Sequence, residues 1–124
     1  MPVRLLKAWI LFLAGLMLAL GVSARNTSVP GTIDVRDLPP EAQQTLQLIK
    51  RGGPFPYAKD GVVFGNYEGV LPKQPRGYYH EFTVPTPGTR NRGRRRMIAG
   101  GAGTMPREYY YTDNHYATFK RVKE

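Results

Sequence analysis

A single helix-forming stretch, followed by short strand-forming segments, is the feature that most constrains the fold of this chain. Small or apolar residues recur there at helical spacing, at Ala42, Thr45, Leu46 and Ile49. Asp37 or Leu38 is predicted to cap the helix, and Gly52 is predicted to end it after about three turns. We therefore predict an α+β domain, in which one N-terminal amphipathic helix packs on one face of an antiparallel β-sheet.

The strand-forming segments follow Gly52 and are separated by proline, glycine and asparagine. Side chains alternate along residues 78–84, with His80, Phe82 and Val84 on one face and Tyr79, Glu81 and Thr83 on the other. This alternation predicts that Glu81 points away from the apolar pair, toward the open face of the sheet. Further strands are predicted at 94–99, 108–111 and 116–122, the last with Ala117 and Phe119 directed inward.

The first 24 residues have the pattern of a secretory signal peptide. Arg4 and Lys7 precede an uncharged run over residues 8–20, and small residues at 22–24 predict cleavage after Ala24. The run of about 13 residues is shorter than the ~20 that a membrane-spanning helix needs. We divide the chain into a signal peptide (1–24), a loose leader (25–36) and one domain (37–124), and we expect a secreted protein without stable membrane association.

The composition excludes several kinds of site. The chain has no cysteine and two histidines, so it has no disulfide framework, thiolate zinc site, cysteine nucleophile or histidine-rich metal cluster. We expect no metal and no other cofactor. Lys and Arg number 18 against 9 Asp and Glu, a formal charge of +9 that favours a polyanionic partner.

Three polar features are unusual enough to weigh. Residues 90–96 contain five arginines, and in an extended segment Arg92, Arg94 and Arg96 would project to one side. Glu81 is an acid among strand-forming aromatics, and His115 lies at the turn before the last predicted strand. Taken singly, an arginine cluster is most often a solvated surface, a strand glutamate a solvent-facing residue, and a lone histidine structural.

Together, these features match what RNA cleavage through the RNA's own 2′-hydroxyl requires. A base must remove the hydroxyl proton, an acid must protonate the departing 5′-oxygen, and fixed cations must offset charge on the phosphate. Glu81, His115 and the arginines supply those groups, and the planar fork of arginine suits phosphate. Two hypotheses stay open: a ribonuclease, and a secreted cationic protein that binds RNA or other polyanions without catalysis.

Six segments carry a resemblance to a known family: LPPEA at 38–42, GPFPY at 53–57, DGVVF at 60–64, VLP at 70–72, GYYHE at 77–81 and HYATF at 115–119. In these segments the chain resembles the small secreted guanyl-specific bacterial ribonucleases, the ribonuclease Sa group, with barnase and binase as more distant relatives. The resemblance implies the microbial ribonuclease fold. It also implies cleavage of single-stranded RNA after guanosine through a 2′,3′-cyclic phosphate, which is then hydrolysed to a 3′-phosphate.

The resemblance also implies roles for individual residues. Glu81 lies where this family keeps its general base and His115 where it keeps its general acid, while Arg92, Arg96 and Tyr116 match the groups that bind phosphate. Guanine recognition is implied for Phe64, Gly65, Asn66, Tyr67 and Glu68. The Glu68 carboxylate can accept both N1–H and N2–H of guanine, a pair of donors that adenine does not present. Phe64 and Tyr67 could stack on the base, although Gly-Asn is also ordinary turn chemistry.

The chain departs from this family at several positions. The relatives usually carry arginine where Tyr67 lies, a larger polar residue in place of Gly65, and aspartate in place of Asn114. About three extra residues near 100–105 are predicted to lengthen a surface loop, and the pair of cysteines found in the ribonuclease Sa group is missing. Because such an enzyme endangers the RNA of its producer, an acidic barstar-like inhibitor protein is a predicted partner.

Overall fold

The computed structural model describes residues 30–102 and 105–124. Its elements are strand β1 (Gly31–Asp34), a 3-10 turn (Val35–Asp37), helix α1 (Pro40–Arg51), and strands β2 (Tyr79–Thr83), β3 (Arg96–Gly100), β4 (Glu108–Thr112) and β5 (Lys120–Lys123). The predicted signal peptide lies outside the described residues. Within the described ranges, no helix has the length and apolar character to cross a membrane.

Helix α1 buries the four residues that its spacing predicts, Ala42, Thr45, Leu46 and Ile49. Gly52 ends it in a left-handed conformation (φ 80°), and the Gly52 N–H donates to the Ile49 carbonyl at 3.1 Å. The predicted cap is wrong, because the capping residue is Pro39, which provides no side-chain cap. Pro40 forces the residue before it into an extended conformation, so the helix can begin only at Pro40.

The sheet has five strands in the order β1-β5-β4-β3-β2. Strands β2 to β5 pair antiparallel, as predicted, whereas β1 pairs with β5 in parallel and makes the sheet mixed. Residues 31–34 were predicted to belong to a loose leader, and here the structure differs. Their side chains are exposed or half-buried, so backbone pairing rather than apolar periodicity defines this strand.

Two predicted strand boundaries are also corrected. The strand predicted over 94–99 begins at Arg96, because Gly93 has a φ of 67° and breaks the extended path. The strand predicted over 116–122 begins only at Lys120, since Tyr116 has a φ of 71° and cannot continue a strand. Ala117 is therefore exposed rather than directed inward, whereas Phe119 is buried as predicted.

Each face of the sheet carries an apolar cluster. The first, here called the helix-face core, includes Leu38, Ala42, Leu46, Phe82, Val84 and Met97. The second, here called the cleft-face core, contains Leu71, Tyr79, Ile98, Tyr110 and Phe119. Phe82 and its neighbour Glu81 therefore lie on opposite faces, as the alternation predicts.

The predicted insertion lies in the connection between β3 and β4, of which residues 103 and 104 are outside the described ranges. The Arg107 N–H donates to the Gly100 carbonyl at 2.7 Å and closes this hairpin next to the extra residues. Arg96 and Thr112 pair at the opposite end of the same two strands. Four residues of strand, about 13 Å at ~3.3 Å per residue, thus separate the insertion from that end.

Candidate active site

Glu81 lies in the middle of β2, on the face opposite the helix, where two groups hold its carboxylate. Arg92 donates from Nη2 to Oε1 at 3.3 Å, and the Tyr116 hydroxyl donates to Oε2 at 2.9 Å. These partners cover much of the side chain, so that 14% of it is exposed. Each carboxylate oxygen retains a lone pair for a further donor.

Arg96 is the first residue of β3 and is buried, with 3% of its surface exposed. Nε donates to the Tyr116 hydroxyl at 3.0 Å, and Nη1 donates to the carbonyls of Gly93 and Arg95 at 3.1 and 2.7 Å. Among the described residues, Nη2 has no protein acceptor. A guanidinium held on two of its nitrogens therefore keeps a third for an anion.

Arg92 is held separately. Its Nε donates to the Thr83 hydroxyl at 2.9 Å, while its Nη2 contacts Glu81. Arg94, predicted to project to the same side as Arg92 and Arg96, instead has an exposed side chain, and the left-handed Gly93 interrupts the extended path between Arg92 and Arg94. The Arg94 backbone carbonyl, however, accepts from the His115 N–H at 3.0 Å.

His115 and Tyr116 form a left-handed turn between β4 and β5. Their φ angles are 56° and 71°, which for residues with a side chain are costly conformations of order 1–3 kcal/mol each. Thr112 Oγ1 accepts from the Tyr116 N–H at 3.2 Å, and the Arg94 carbonyl holds His115. The surrounding hydrogen bonds therefore impose a conformation that turns both side chains toward the cleft.

Asn114 supports the same turn. Its Oδ1 accepts from the Thr118 N–H at 3.0 Å and from the Thr112 hydroxyl at 2.9 Å, and its Nδ2 donates to the Thr118 hydroxyl at 2.8 Å. The Asn114 side chain thus hydrogen-bonds to both Thr112 and Thr118 and holds the two sides of the turn together.

Tyr116 joins the two charged groups of the site. Burial raises the pKa of the Tyr116 phenol, and its donation to the Glu81 carboxylate raises that pKa further, while Arg96 acts in the opposite direction. The phenol consequently stays protonated at neutral pH, donating to Glu81 and accepting from Arg96. His115 lies against the same ring, with 4.7 Å between the ring centroids.

Residues 64–68, here called the recognition loop, line a cleft of about 580 Å³ together with Glu81, His115 and Tyr116. Asn66 gives the loop its shape: it has a φ of 52°, its Oδ1 accepts from the Leu71 N–H at 3.1 Å, and its Nδ2 donates to the Leu71 carbonyl at 3.0 Å. Leu71 belongs to the cleft-face core, so the loop is fastened to buried structure.

The side chains of the recognition loop have different surroundings. Phe64 is half-buried and stacks on Tyr116, with centroids 5.2 Å apart and an interplanar angle of 20°. Glu68 is exposed, and Tyr67 is 85% exposed. The carboxylate of Glu68 is therefore open to a ligand in the cleft, whereas one face of Phe64 is occupied within the protein.

The structure thus brings together all ten predicted site residues. The recognition loop, Glu81, His115 and Tyr116 line the cleft, and Arg92 and Arg96 hydrogen-bond to its walls. The sequence interpretation missed Thr83 and Thr112, which hold Arg92 and the left-handed turn. Both are threonines within strands, an arrangement that carries no distinguishing signal in a single sequence.

A carboxylate, an imidazole and a buried guanidinium around one cleft can accept a proton, donate a proton and bind an anion. In residues 30–102 and 105–124, no group of three or more His, Cys, Asp and Glu is arranged to hold a metal ion. The carboxylate, imidazole and guanidinium groups provide acid–base catalysis on an anionic substrate.

Comparison with known proteins gives a consistent result. A family model described as ribonuclease matches residues 22–123. Guanyl-specific ribonuclease Sa of Kitasatospora aureofaciens is 57% identical over 96 residues, which span 77% of this chain and 97% of that protein. Guanyl-specific ribonuclease St of Saccharopolyspora erythraea is 51% identical over 95 residues, spanning 77% of this chain and 90% of that protein.

Solved structures give the same match in three dimensions. A structure of ribonuclease Sa2 complexed with mononucleotides superposes with a TM-score of 0.72 at 49% identity, covering 77% of this chain and 96% of that one. A structure of ribonuclease Sa2 with guanosine-2′-cyclophosphate superposes with a TM-score of 0.70, also at 49% identity, covering 77% and 97%.

Proposed function

This chain belongs to the ribonuclease family, and from that premise we propose that it cleaves single-stranded RNA after guanosine, with Glu81 and His115 as its base and acid. The observation that carries the proposal is the cluster of Glu81, Tyr116 and Arg96, joined by hydrogen bonds of 2.9 and 3.0 Å beside His115. A protein that only binds polyanions needs no such arrangement.

In the first step, Glu81 takes the proton of the ribose 2′-hydroxyl. The 2′-oxygen attacks phosphorus, the bond to the 5′-oxygen breaks, and the protonated His115 gives that oxygen its proton, leaving a 2′,3′-cyclic phosphate. Arg96 Nη2, which has no acceptor in residues 30–102 and 105–124, can donate to a phosphate oxygen as negative charge grows there. The pairing of Arg92 and Tyr116 with Glu81 fixes the direction of its carboxylate.

In the second step, water takes the place of the departed 5′-oxygen. Neutral His115 accepts a proton from the water as it attacks phosphorus, the bond to the 2′-oxygen breaks, and protonated Glu81 returns the proton to that oxygen. The product is a 3′-phosphate, and both side chains recover their starting protonation. One acid–base pair therefore serves both steps with the roles exchanged.

Glu68 supports the selection of guanine. Its exposed carboxylate lies in the same cleft as Glu81, and it can accept N1–H and N2–H of guanine together. Adenine would leave these acceptors without a matching pair of donors. Substituting Glu68→Gln is therefore expected to reduce the ratio of cleavage after guanosine to cleavage after adenosine while leaving the affinity for inorganic phosphate close to that of the unmodified protein.

The decisive experiment uses a defined RNA containing all four nucleotides, incubated with the purified protein in EDTA. We expect fragments that end in guanosine 3′-phosphate, with the cyclic phosphate as an earlier product. DNA of the same sequence lacks the 2′-hydroxyl and should survive. Intact RNA bound in a salt-sensitive manner would instead identify a cationic binding protein.

Secretion is a second part of the proposal. The basic, apolar and small-residue segments of residues 1–24 support export with cleavage after Ala24. Expression of the full chain in a bacterial host, followed by N-terminal sequencing of protein from the medium, should give Arg25 as the first residue.

An acidic barstar-like inhibitor remains a predicted partner, supported by the net positive charge of the chain.

A further inference from the structure

Tyr67 and Arg76 form an exposed pair beside the recognition loop. Arg76 Nη1 donates to the Tyr67 hydroxyl at 2.6 Å, and its guanidinium carbon lies 5.9 Å from the centre of the tyrosine ring. The ring is 85% exposed, the most exposed of the chain's large hydrophobic side chains in the described ranges. An aromatic face that is held in place and left open to solvent is a surface on which a nucleobase can stack.

Gly65 makes this position of the ring possible. A Cβ placed on Gly65 would lie 2.4 Å from two ring carbons of Tyr67, closer than atoms can approach. The ring therefore rests over the glycine, and a larger residue would displace it. In this chain, the position of the Tyr67 ring thus depends on glycine at residue 65.

The position of the pair along β2 indicates which nucleotide it meets. Thr83, which holds Arg92, ends β2, whereas Arg76 lies three residues before its first residue, Tyr79. The Phe64 N–H donates to the Tyr79 carbonyl at 2.9 Å, so the recognition loop starts at that same end. In the complex proposed above, the 3′-phosphate of guanosine contacts Arg92 and Arg96 at one end of β2, while Tyr67 and Arg76 lie near the other end.

We propose that Tyr67 and Arg76 form a subsite for the nucleotide that precedes guanosine in the RNA. The Tyr67 ring stacks on the base of that nucleotide, and the nitrogens of Arg76 not bonded to Tyr67 attract the phosphate that joins it to guanosine. This subsite rests on the proposed guanine site at Glu68. With this subsite, the enzyme binds guanosine together with the nucleotide that precedes it. We expect little preference for the base of that nucleotide, because every base has a face that can stack.

The alternative role for Tyr67 is stacking on guanine itself. Guanine is present in every substrate, so that role predicts the same loss for short and long RNAs when Tyr67 is changed. A subsite for the preceding nucleotide predicts a loss only when that nucleotide is present. Measuring the effect of changing Tyr67 on short and long RNAs therefore distinguishes the two roles.

The test compares kcat/KM for four synthetic RNAs: GpC, ApGpC, the same trinucleotide with an abasic ribose in the first position, and GpCpA. We expect the unmodified protein to favour ApGpC over GpC at least about fivefold, the effect of a weak base–aromatic stack. The abasic trinucleotide should lose most of this gain. In Tyr67→Leu the ratio of ApGpC to GpC should approach one, while the ratio of GpCpA to GpC stays as in the unmodified protein.

Two further variants sharpen the result. Tyr67→Phe keeps the ring and should keep most of the gain, whereas Gly65→Ala should lose it because the added methyl group displaces the ring. Equal rates on ApGpC and GpC in the unmodified protein, or an equal loss on both in Tyr67→Leu, would overturn the subsite. Cleavage of GpC itself reports the proposed function, so each claim can fail without the other.

Discussion

The two faces of the sheet are built from the same strands, but one packs against the helix and the other carries the candidate catalytic groups. On the helix face, Phe82 and Met97 pack beneath α1 among other apolar side chains. On the opposite face their sequence neighbours Glu81 and Arg96 meet at Tyr116. One residue along a strand reverses the direction of a side chain. Stability and chemistry can therefore be changed almost independently, even at adjacent positions.

The cleft face nevertheless has a core of its own, and this core carries polar groups. The Tyr79 hydroxyl donates to the Pro72 carbonyl at 2.6 Å, and the Tyr110 hydroxyl donates to Glu108 at 3.1 Å. No buried polar side-chain atom lacks a partner in the part of the chain that the structure describes. The helix-face core stabilises mainly by excluding water, whereas the cleft-face core also fixes the direction of the groups above it.

The two histidines provide the sharpest contrast between the faces. His115→Gln should lower kcat by about 10²–10⁴-fold, the usual contribution of a general acid. His80→Gln makes the same change on the helix-face side of β2, beside Phe82 and Ala99, and should leave kcat within about twofold. Steady-state cleavage of a guanosine-containing oligonucleotide measures both. Equal losses in the two variants would remove His115 from its proposed role.

Two buried leucines test whether each core serves its own face. Leu46→Ala and Leu71→Ala should each lower the unfolding free energy by about 2–5 kcal/mol, since both side chains are almost fully buried. Only Leu71→Ala should also reduce kcat/KM at a temperature where both variants are folded, because the Leu71 side chain fixes in the cleft-face core the backbone that hydrogen-bonds to Asn66. Urea unfolding and cleavage assays on the same samples measure the two effects. A lower kcat/KM in Leu46→Ala as well would show that the two faces are not independent.

A substitution of Arg96 tests whether its buried guanidinium binds the phosphate of the substrate. Arg96→Lys keeps the charge but loses the planar fork that reaches Tyr116, Gly93 and an incoming phosphate. We expect kcat to fall by about 10²-fold, with a smaller change in KM, because the fork acts as charge develops in the transition state. The same change at the exposed Arg90 is the matched control and should alter neither. A rise in KM alone would make Arg96 a general electrostatic contact.

The smallest expected effect is a loss of stability in alkali. Burial, with the neighbouring Glu108 carboxylate, raises the pKa of Tyr110 to about 12. The unfolded state releases this proton near pH 10, so the stabilisation is complete below that pH and is lost as the pH rises toward 12. Measured by urea unfolding, the free energy of unfolding should fall between pH 10 and pH 12 by about 2 kcal/mol less in Tyr110→Phe than in the unmodified protein. The exposed ring of Tyr67 offers the control, since Tyr67→Phe should leave the fall unchanged.

Local patterns predicted the helix and the direction of Glu81 correctly, because both depend on periodicity within one short segment. They did not predict β1, whose partner β5 is far away in sequence and pairs with it through the backbone. The α+β class was predicted correctly from the helix and the following strands, while the fifth strand and the mixed sheet were not. The family was predicted through the six motifs, and the family match confirms that identification.

The finer geometry of the site depends on contacts that a single sequence does not display. The left-handed Gly93 interrupts the segment between Arg92 and Arg94, and Arg94 is exposed whereas Arg96 is buried. The left-handed pair His115 and Tyr116 is held by the Thr112 side chain, at the end of β4, and by the Arg94 carbonyl, which belongs to the segment before β3. A strand prediction over 116–122 followed from β-forming composition, and these hydrogen bonds override that local preference.

The parallel pairing of β1 with β5 also bears on how the protein folds. It joins residues 31–34 to residues 120–123, so this contact closes a loop that contains nearly all of the described chain. Closing a long loop costs chain entropy before the contact is gained, whereas the β3–β4 hairpin joins neighbouring segments. We therefore expect β1 to join the sheet late in folding, and the turn that bears His115, which directly precedes β5, to become ordered together with it.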